Sequence, residues 1–188
     1  MTDITMTNTL SKPKLSVKTQ TLAALVAIVA AVAVPQLFHY IGIVSGAGNI
    51  PGETFLPMHL PILCVGLLAG PYAGAAAGLL GPVASFALSG MPGIAMLPFM
   101  ALELCMYGAI TGALRNAKMP VLAKVLLAQI GGRAVRAVAI VFAVYVIGSN
   151  AVGVAVIWNS IIAGIPGLIL QWTLIPLLIF WIENRSRA

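Results

Sequence analysis

The sequence predicts an all-α membrane protein with six transmembrane helices. Apolar residues make up 61% of the chain and charged residues only 7%, whereas soluble domains carry about 25% charged residues. The mean hydropathy is +1.07. Because one spanning helix needs about 20 apolar residues, the 188 residues accommodate five or six spans with short connections and leave no room for a soluble catalytic domain.

The first helix is predicted at 19–43. Residues 1–18 are polar and are expected to form a disordered cytoplasmic tail. The apolar run after them is long enough to span the membrane by itself, which predicts a retained helix and not a signal peptide. Pro35 lies inside this run, and a proline removes a helical hydrogen bond, so we expect a bend there.

The remaining five helices follow at short intervals. Helix two is predicted at 57–70 and helix three at 72–89, separated by a Gly-Pro break. Their lengths of roughly 20–27 Å are short for a span, and such helices commonly line a cavity. Helices four, five and six are predicted at 94–114, 121–148 and 154–182. The transmembrane domain is therefore expected at 19–183, with a cytoplasmic C-terminal tail at 184–188.

The distribution of basic residues predicts which side of the membrane each loop faces. With both termini in the cytoplasm, the outer loops 44–56, 90–93 and 149–153 contain no Lys or Arg. Eight basic residues then fall on the inner side: Lys12, Lys14, Lys18, Arg115, Lys118, Lys124, Arg185 and Arg187. Cytoplasmic loops are enriched in Lys and Arg, so the pattern predicts the N-in, C-in orientation.

Three charged residues are predicted inside the membrane, namely Glu103 in helix four and Arg133 and Arg136 in helix five. A charge at this depth is costly and normally faces a cavity or a partner. Glu103 is expected roughly 13 Å and Arg136 roughly 18 Å below the outer helix ends, so the two can meet. They form either part of a ligand site or an ion pair that only fixes helix packing.

Two further side chains are candidates for the same site. His59 lies in the segment LPMHLP at the outer end of helix two, where two prolines hold the backbone away from regular helix. It is either a ligand contact or an interfacial histidine. Asn159, near the outer end of helix six, is either a ligand contact or polar glue between helices, and the same alternatives hold for Gln171. The predicted site lies between helices two, four, five and six.

Small residues form a stripe on helix one, at Ala23, Ala27 and Ala31. Alanines at a spacing of four lie on one helix face and permit close approach of another helix. The stripe is expected to contact either a partner protein or a neighbouring helix of the same chain.

Several strings together resemble a known family. The run LPMHLPILCVGLLAGPYAGAAAGLLGPVASFALSGMP is followed by ALELCMYGAITGALR, GGRAVRA and AGIPGLILQWTLIP. These strings resemble the substrate-binding S components of energy-coupling factor (ECF) transporters. The resemblance implies a cell-membrane protein that binds a vitamin or related micronutrient from outside and works with a T component and two cytoplasmic ATPases. It also implies that Ala23, Ala27 and Ala31 contact the T component.

Other functions are disfavoured by what the sequence lacks. There is no GxSxG, HExxH or paired-glutamate motif, so no catalytic residues, cofactor or metal site are predicted. The two cysteines lie in apolar runs without a CxxC motif. The basic residues form no continuous face for nucleic acid. A self-sufficient secondary carrier or channel remains the alternative, because intramembrane charges also mark proton relays and ion paths.

Overall fold

A computed structural model describes residues 15–48 and 50–185. Every regular element within this part of the chain is helical. Most of the two predicted tails lies outside the described residues. The α-helices are α1 (Val17–Val44), α2 (Ile50–Phe55), α3 (His59–Ala69), α4 (Pro71–Ser89), α5 (Leu97–Ala113), α6 (Val121–Tyr145), α7 (Ala155–Ala163) and α8 (Ile165–Arg185). A short 3-10 turn, Leu114–Asn116, follows α5.

Six segments of the described chain are long and apolar enough to cross a membrane, which confirms the predicted fold class. They are Val17–Val44, Ile50–Ala69, Pro71–Ser89, Leu97–Asn116, Val121–Tyr145 and Ile165–Arg185. Large apolar side chains such as Leu25, Val29, Phe142 and Trp181 are exposed on the outside of the bundle. A bilayer would cover this surface, since an exterior of this kind is unfavourable in water.

The predicted loop at 44–56 is corrected by the structure, because it contains the short helix α2. Helices α2 and α3 form one span that is interrupted at 56–58. Pro57 disfavours helical backbone in the residue before it, and Leu56 takes the left-handed φ of 49°. The interruption turns the start of α3, with His59, toward the interior of the bundle, where His59 is buried.

The predicted single helix at 154–182 is also corrected, because it is broken at Gly164 into α7 and α8. Pro166 occupies the first turn of α8, where its missing N–H leaves no helical hydrogen bond unmade. A Cβ on Gly167 would lie 2.6 Å from the carbonyl carbon of Phe55. The break and the glycine therefore allow α8 to approach the end of α2 at backbone distance.

The centre of the bundle is a close contact between α4 and α5. A Cβ on Gly74 or Gly108 would overlap the backbone of the other helix, and a Cβ on Gly78 would overlap the backbone at Leu104. Small residues permit this approach between membrane helices. The contact holds the first half of α5, which carries Glu103, in one position against α4.

The two ends of the bundle differ in charge. Apart from Arg133 and Arg136, the basic side chains of the described residues are Lys18, Arg115, Lys118, Lys124 and Arg185. The alternation of helices puts all five at the end where α1 begins and α5 ends. The ammonium of Lys124 donates there to the carbonyl oxygen of Arg115, at 2.9 Å. The orientation of the bundle in the membrane stays a prediction.

Candidate functional site

A cavity of about 460 Å³ opens at the end of the bundle opposite the basic loops. Its walls come from the second half of α1, the α2–α3 junction, the end of α4, the first half of α5, the second half of α6, and α7. All five predicted site residues line it: His59, Glu103, Arg133, Arg136 and Asn159. Residues far apart in the sequence thus share one enclosed space.

Glu103 is the most buried charged side chain of the cavity, at 1% exposure. Its Oε2 accepts a hydrogen bond from Nη1 of Arg136 at 2.8 Å, and its Oε1 accepts one from the hydroxyl of Tyr107 at 2.6 Å. The Nε of Arg133 lies 3.8 Å from Oε1. Both carboxylate oxygens are therefore engaged by the protein itself.

Tyr107 is a member of the cluster that the sequence analysis did not include. It lies one helical turn after Glu103, a spacing that brings side chains together on one face, and it has no exposed surface. Its hydroxyl donates to Glu103 and accepts a hydrogen bond from Nε of Arg133 at 3.2 Å. Tyr107 therefore connects the carboxylate of α5 to the guanidinium of α6.

The two guanidinium groups retain unused donors. Within the described residues, the buried Nε of Arg136 has no hydrogen-bond partner. The only hydrogen bond of the Arg133 side chain there is the one from its Nε to Tyr107. The side chain of Arg133 is 17% exposed and that of Arg136 is 14% exposed. Because the two residues are three apart on α6, they lie on nearly the same helix face. That face lines the cavity.

His59 lies at the start of α3 and is 3% exposed. Its ring centroid is 5.4 Å from that of Tyr107, with the rings tilted by 52°. The buried Nδ1 has no hydrogen-bond partner in the part of the chain that the structure describes. Buried polar atoms are normally paired, so this nitrogen is available to a molecule in the cavity.

Methionine is concentrated in the cavity wall. Of the six methionines among the described residues, four line it: Met58, Met91, Met96 and Met100. Met58 is buried, and the other three are half-buried. Thioether side chains are polarisable and adapt to the shape of a neighbour. Part of the cavity lining is therefore apolar and adaptable.

The open side of the cavity carries further polar groups. Asn159 lies on α7 and is exposed. His39, Glu53, Ser85 and Ser160 also line the cavity. These four residues were not predicted as site residues. Glu53 was hidden within a predicted loop that is helical in the structure, and the others carry no spacing pattern that separates them from ordinary membrane-helix residues.

A second polar cluster packs helices together beside the site. The side-chain amide of Gln129 donates to Oε1 of Gln171 at 2.8 Å, and the indole of Trp172 donates to Oε1 of Gln129 at 2.7 Å. Gln171 donates in turn to the carbonyl oxygen of Leu56 at 3.3 Å. Gln129, Gln171 and Trp172 do not line the cavity. Gln171 therefore links α6, α8 and the α2–α3 junction by hydrogen bonds.

The alanine stripe on α1 faces mainly inward. Ala31 has no exposed surface and Ala27 is 6% exposed, whereas Ala23 is half-buried. A Cβ on Gly81 of α4 would lie 3.4 Å from the Cβ of Ala31. Two of the three alanines thus pack against the chain's own helices. Contact of the stripe with a partner protein stays a prediction.

The described residues contain no group of three His, Cys, Asp or Glu side chains that could hold a metal ion.

A family model described as the substrate-specific component of ECF transporters matches residues 17–179. The chain belongs to this family. No curated protein and no solved structure matched the chain.

This S component is accordingly a multi-pass protein of the plasma membrane and a substrate-binding subunit of a transporter. The family is a transport family and not a class of enzymes. Its members work in general with a T component and ATPases. The cavity and its polar cluster lie within the matched residues.

Proposed function

We propose that the cavity is the substrate site of this S component, and that it captures a vitamin or related micronutrient from outside the cell. The observation that carries the proposal is the enclosure of a buried polar cluster in one cavity, at the end of the bundle whose loops lack Lys and Arg. The positive-inside pattern predicts that this end faces the outside. Ligand would enter there and then pass to the cytoplasm through the assembled transporter.

The size and lining of the cavity support this role. Its volume of about 460 Å³ lies within the range of about 300–1,000 Å³ that is typical of small-molecule sites. Such sites combine an apolar wall with a few converging polar groups. Here the methionines supply the wall, and His59 and the arginines supply the polar groups.

The hydrogen bonds support a division of roles within the cluster. Glu103 and Tyr107 already bond to each other and to the arginines, so we assign them to positioning. Arg133 and His59 line the cavity and carry nitrogens without a hydrogen-bond partner in the described part of the chain, so we assign them to ligand contact. Asn159, exposed on α7, is assigned to the entrance.

Delivery of the ligand is proposed to require a T component and two cytoplasmic ATPases, as is general for the family. The contact surface on α1 is proposed to include Ala23, which the chain's own helices leave half-covered. Ala27 and Ala31 would contribute from the inner side, by allowing α1 to lie close to α4. The exposed neighbours Leu22 and Val26 extend this surface.

The proposal is tested by blocking the cavity. The full-length protein, Met96→Trp in the cavity wall and Met119→Trp at the opposite end are purified from the same cells. Small molecules released on denaturation are then compared by mass spectrometry. We expect one compound in the parent protein and in Met119→Trp that is lost from Met96→Trp, because tryptophan fills the space. Equal retention of that compound by all three proteins would contradict the assignment.

The same compound decides between the transporter and the alternative of a self-sufficient carrier. Its uptake is measured in cells that express the S component with or without a T component and the ATPases. We expect uptake only with the complete set, because no nucleotide-binding motif is present in this chain. Uptake by the S component alone would favour the carrier.

A further inference from the structure

The charges at the inner end of the cavity do not balance. Two guanidinium groups, Arg133 and Arg136, share the single carboxylate of Glu103. The other acidic side chain that lines the cavity, Glu53, is exposed on α2 and forms no ion pair within the described residues. His39 and His59 can add only positive charge. The buried inner end of the cavity, away from Glu53, therefore carries one positive charge in excess.

This excess lies at membrane depth. Arg136 is nine residues before the end of α6 at Tyr145, a distance of about 14 Å at the helical rise. Charged groups at such depth normally have a partner, because removal from water is costly. The cluster supplies a single carboxylate for the two arginines. A negative charge from a bound molecule would complete the pairing.

The buried polar atoms without partners also favour a negatively charged ligand. Nδ1 of His59 and Nε of Arg136 are buried and without partners within the described part of the chain. A guanidinium is a donor only, and a histidine nitrogen can donate. The three residues that carry unpaired nitrogens, His59, Arg133 and Arg136, all line the one cavity. Oxygen acceptors of an anion satisfy such a set with short, charge-assisted hydrogen bonds.

The apolar part of the lining suits a different part of the ligand. Four methionines line the same cavity as the charged cluster, and thioether sulfur makes favourable contacts with aromatic rings. A flat ring in contact with the methionines would leave its acidic substituent to the arginines of the same cavity. We infer that the ligand of this S component is a small organic acid, a carboxylate carried on an aromatic or heteroaromatic ring. The inference rests on the proposed function of the cavity.

The inference is tested with matched pairs of acids and amides that differ only in charge. The probes are nicotinate with nicotinamide and indole-3-acetate with indole-3-acetamide. Each is added at millimolar concentration to the purified full-length protein, and the shift of the melting temperature is recorded. We expect the acid of a pair to stabilise the protein more than its amide, with an affinity about 10- to 100-fold higher, since hydrogen bonds to charged groups are strong.

Variants identify the source of the preference. Arg133→Gln is expected to remove the difference between acid and amide, whereas Arg133→Lys retains part of it because the charge remains. Lys118→Gln, an exposed basic residue at the other end of the bundle, is the matched control and is expected to behave like the parent. The melting temperature of each variant without probe reports whether its fold is intact.

Two results would overturn the inference. One is equal stabilisation by amides and acids, or none by any acid, in the parent protein. The other is an acid preference that survives in Arg133→Gln. Either result leaves the proposed function standing if Met96→Trp still loses the retained compound. Conversely, if blocking the cavity changes nothing, the binding role itself fails, whatever the charge of the ligand.

Discussion

At the scale of single residues, the notable arrangement is a buried ion pair whose carboxylate has a second internal partner. Removing charges from water is costly, and a buried pair offsets that cost only when the remaining lone pairs are satisfied. Glu103 meets this condition through Arg136 and the hydroxyl of Tyr107. That hydroxyl also accepts from Nε of Arg133. Tyr107 is therefore expected to stabilise the ligand-free protein.

Tyr107→Phe tests this role. The substitution keeps the ring against His59 but removes the hydroxyl, so that Arg133 Nε and one lone pair of Glu103 lose their partner. We expect destabilisation by about 1–3 kcal/mol, the cost of leaving a buried polar group unpaired. Thermal unfolding of the ligand-free protein measures it. Tyr72→Phe, at a position 55% exposed, serves as control, and equal melting of both variants would contradict the role.

At the scale of helices, the position of the site depends on contacts without side chains. The backbones of α4 and α5 touch through Gly74, Gly78 and Gly108. Membrane helices gain no hydrophobic driving force from each other, so close packing supplies much of their association. The breaks at Pro57 and Gly164 then bring the α2–α3 junction and α7 to the cavity.

Gly78→Val is expected to disturb this packing. Its Cβ would overlap the backbone at Leu104, and overpacking of a close contact costs about 1–3 kcal/mol. The melting temperature in detergent should fall, and Glu103, one residue before the contact, should shift with α5. Gly153→Val is the matched control, because a Cβ there meets nothing within 4 Å. A melting temperature of Gly78→Val equal to that of the parent would show that α5 can move without loss of stability, which would contradict the expectation.

At the scale of the whole molecule, charge separates the two ends of the bundle and the cavity opens at the end without basic loops. The proposed capture of a ligand from outside requires the cavity to face outward, and the positive-inside pattern predicts the same orientation. Two independent considerations thus favour one topology. The orientation has a direct consequence for which loops can be labelled.

Cysteine labelling with a membrane-impermeant maleimide on intact cells tests the topology. Ser149→Cys, near the cavity end, is expected to react from outside, whereas Lys118→Cys is expected to react only after permeabilisation. Lys118 is exposed and Ser149 is half-buried. Cys64 and Cys105 lie within spans and are partly buried, and the unsubstituted protein reports their background. Reaction of the cysteine at 118 in intact cells would reverse the orientation.

Much of the architecture follows from the sequence because hydropathy reports removal from water directly. The six spans are confirmed, and the predicted boundaries of α4 and α5 lie within a few residues of the observed ones. The meeting of Glu103 with Arg136 was expected from their similar depths, and the structure contains that ion pair. Depth along a helix follows from residue number alone, since each residue adds a fixed rise.

What only the tertiary structure decided is direction around each helix. A membrane helix is apolar on every side, because lipid and protein interior are both nonpolar. Hydropathy therefore cannot show that Ala31 faces α4, that Tyr107 joins the charged cluster, or that Gln171 packs outside the cavity. The breaks that form α2 and α7 were hidden for a related reason. A proline or glycine can bend a helix, end it or leave it unbroken. Which of these happens depends on the backbone that packs against it, and that contact exists only in the folded bundle.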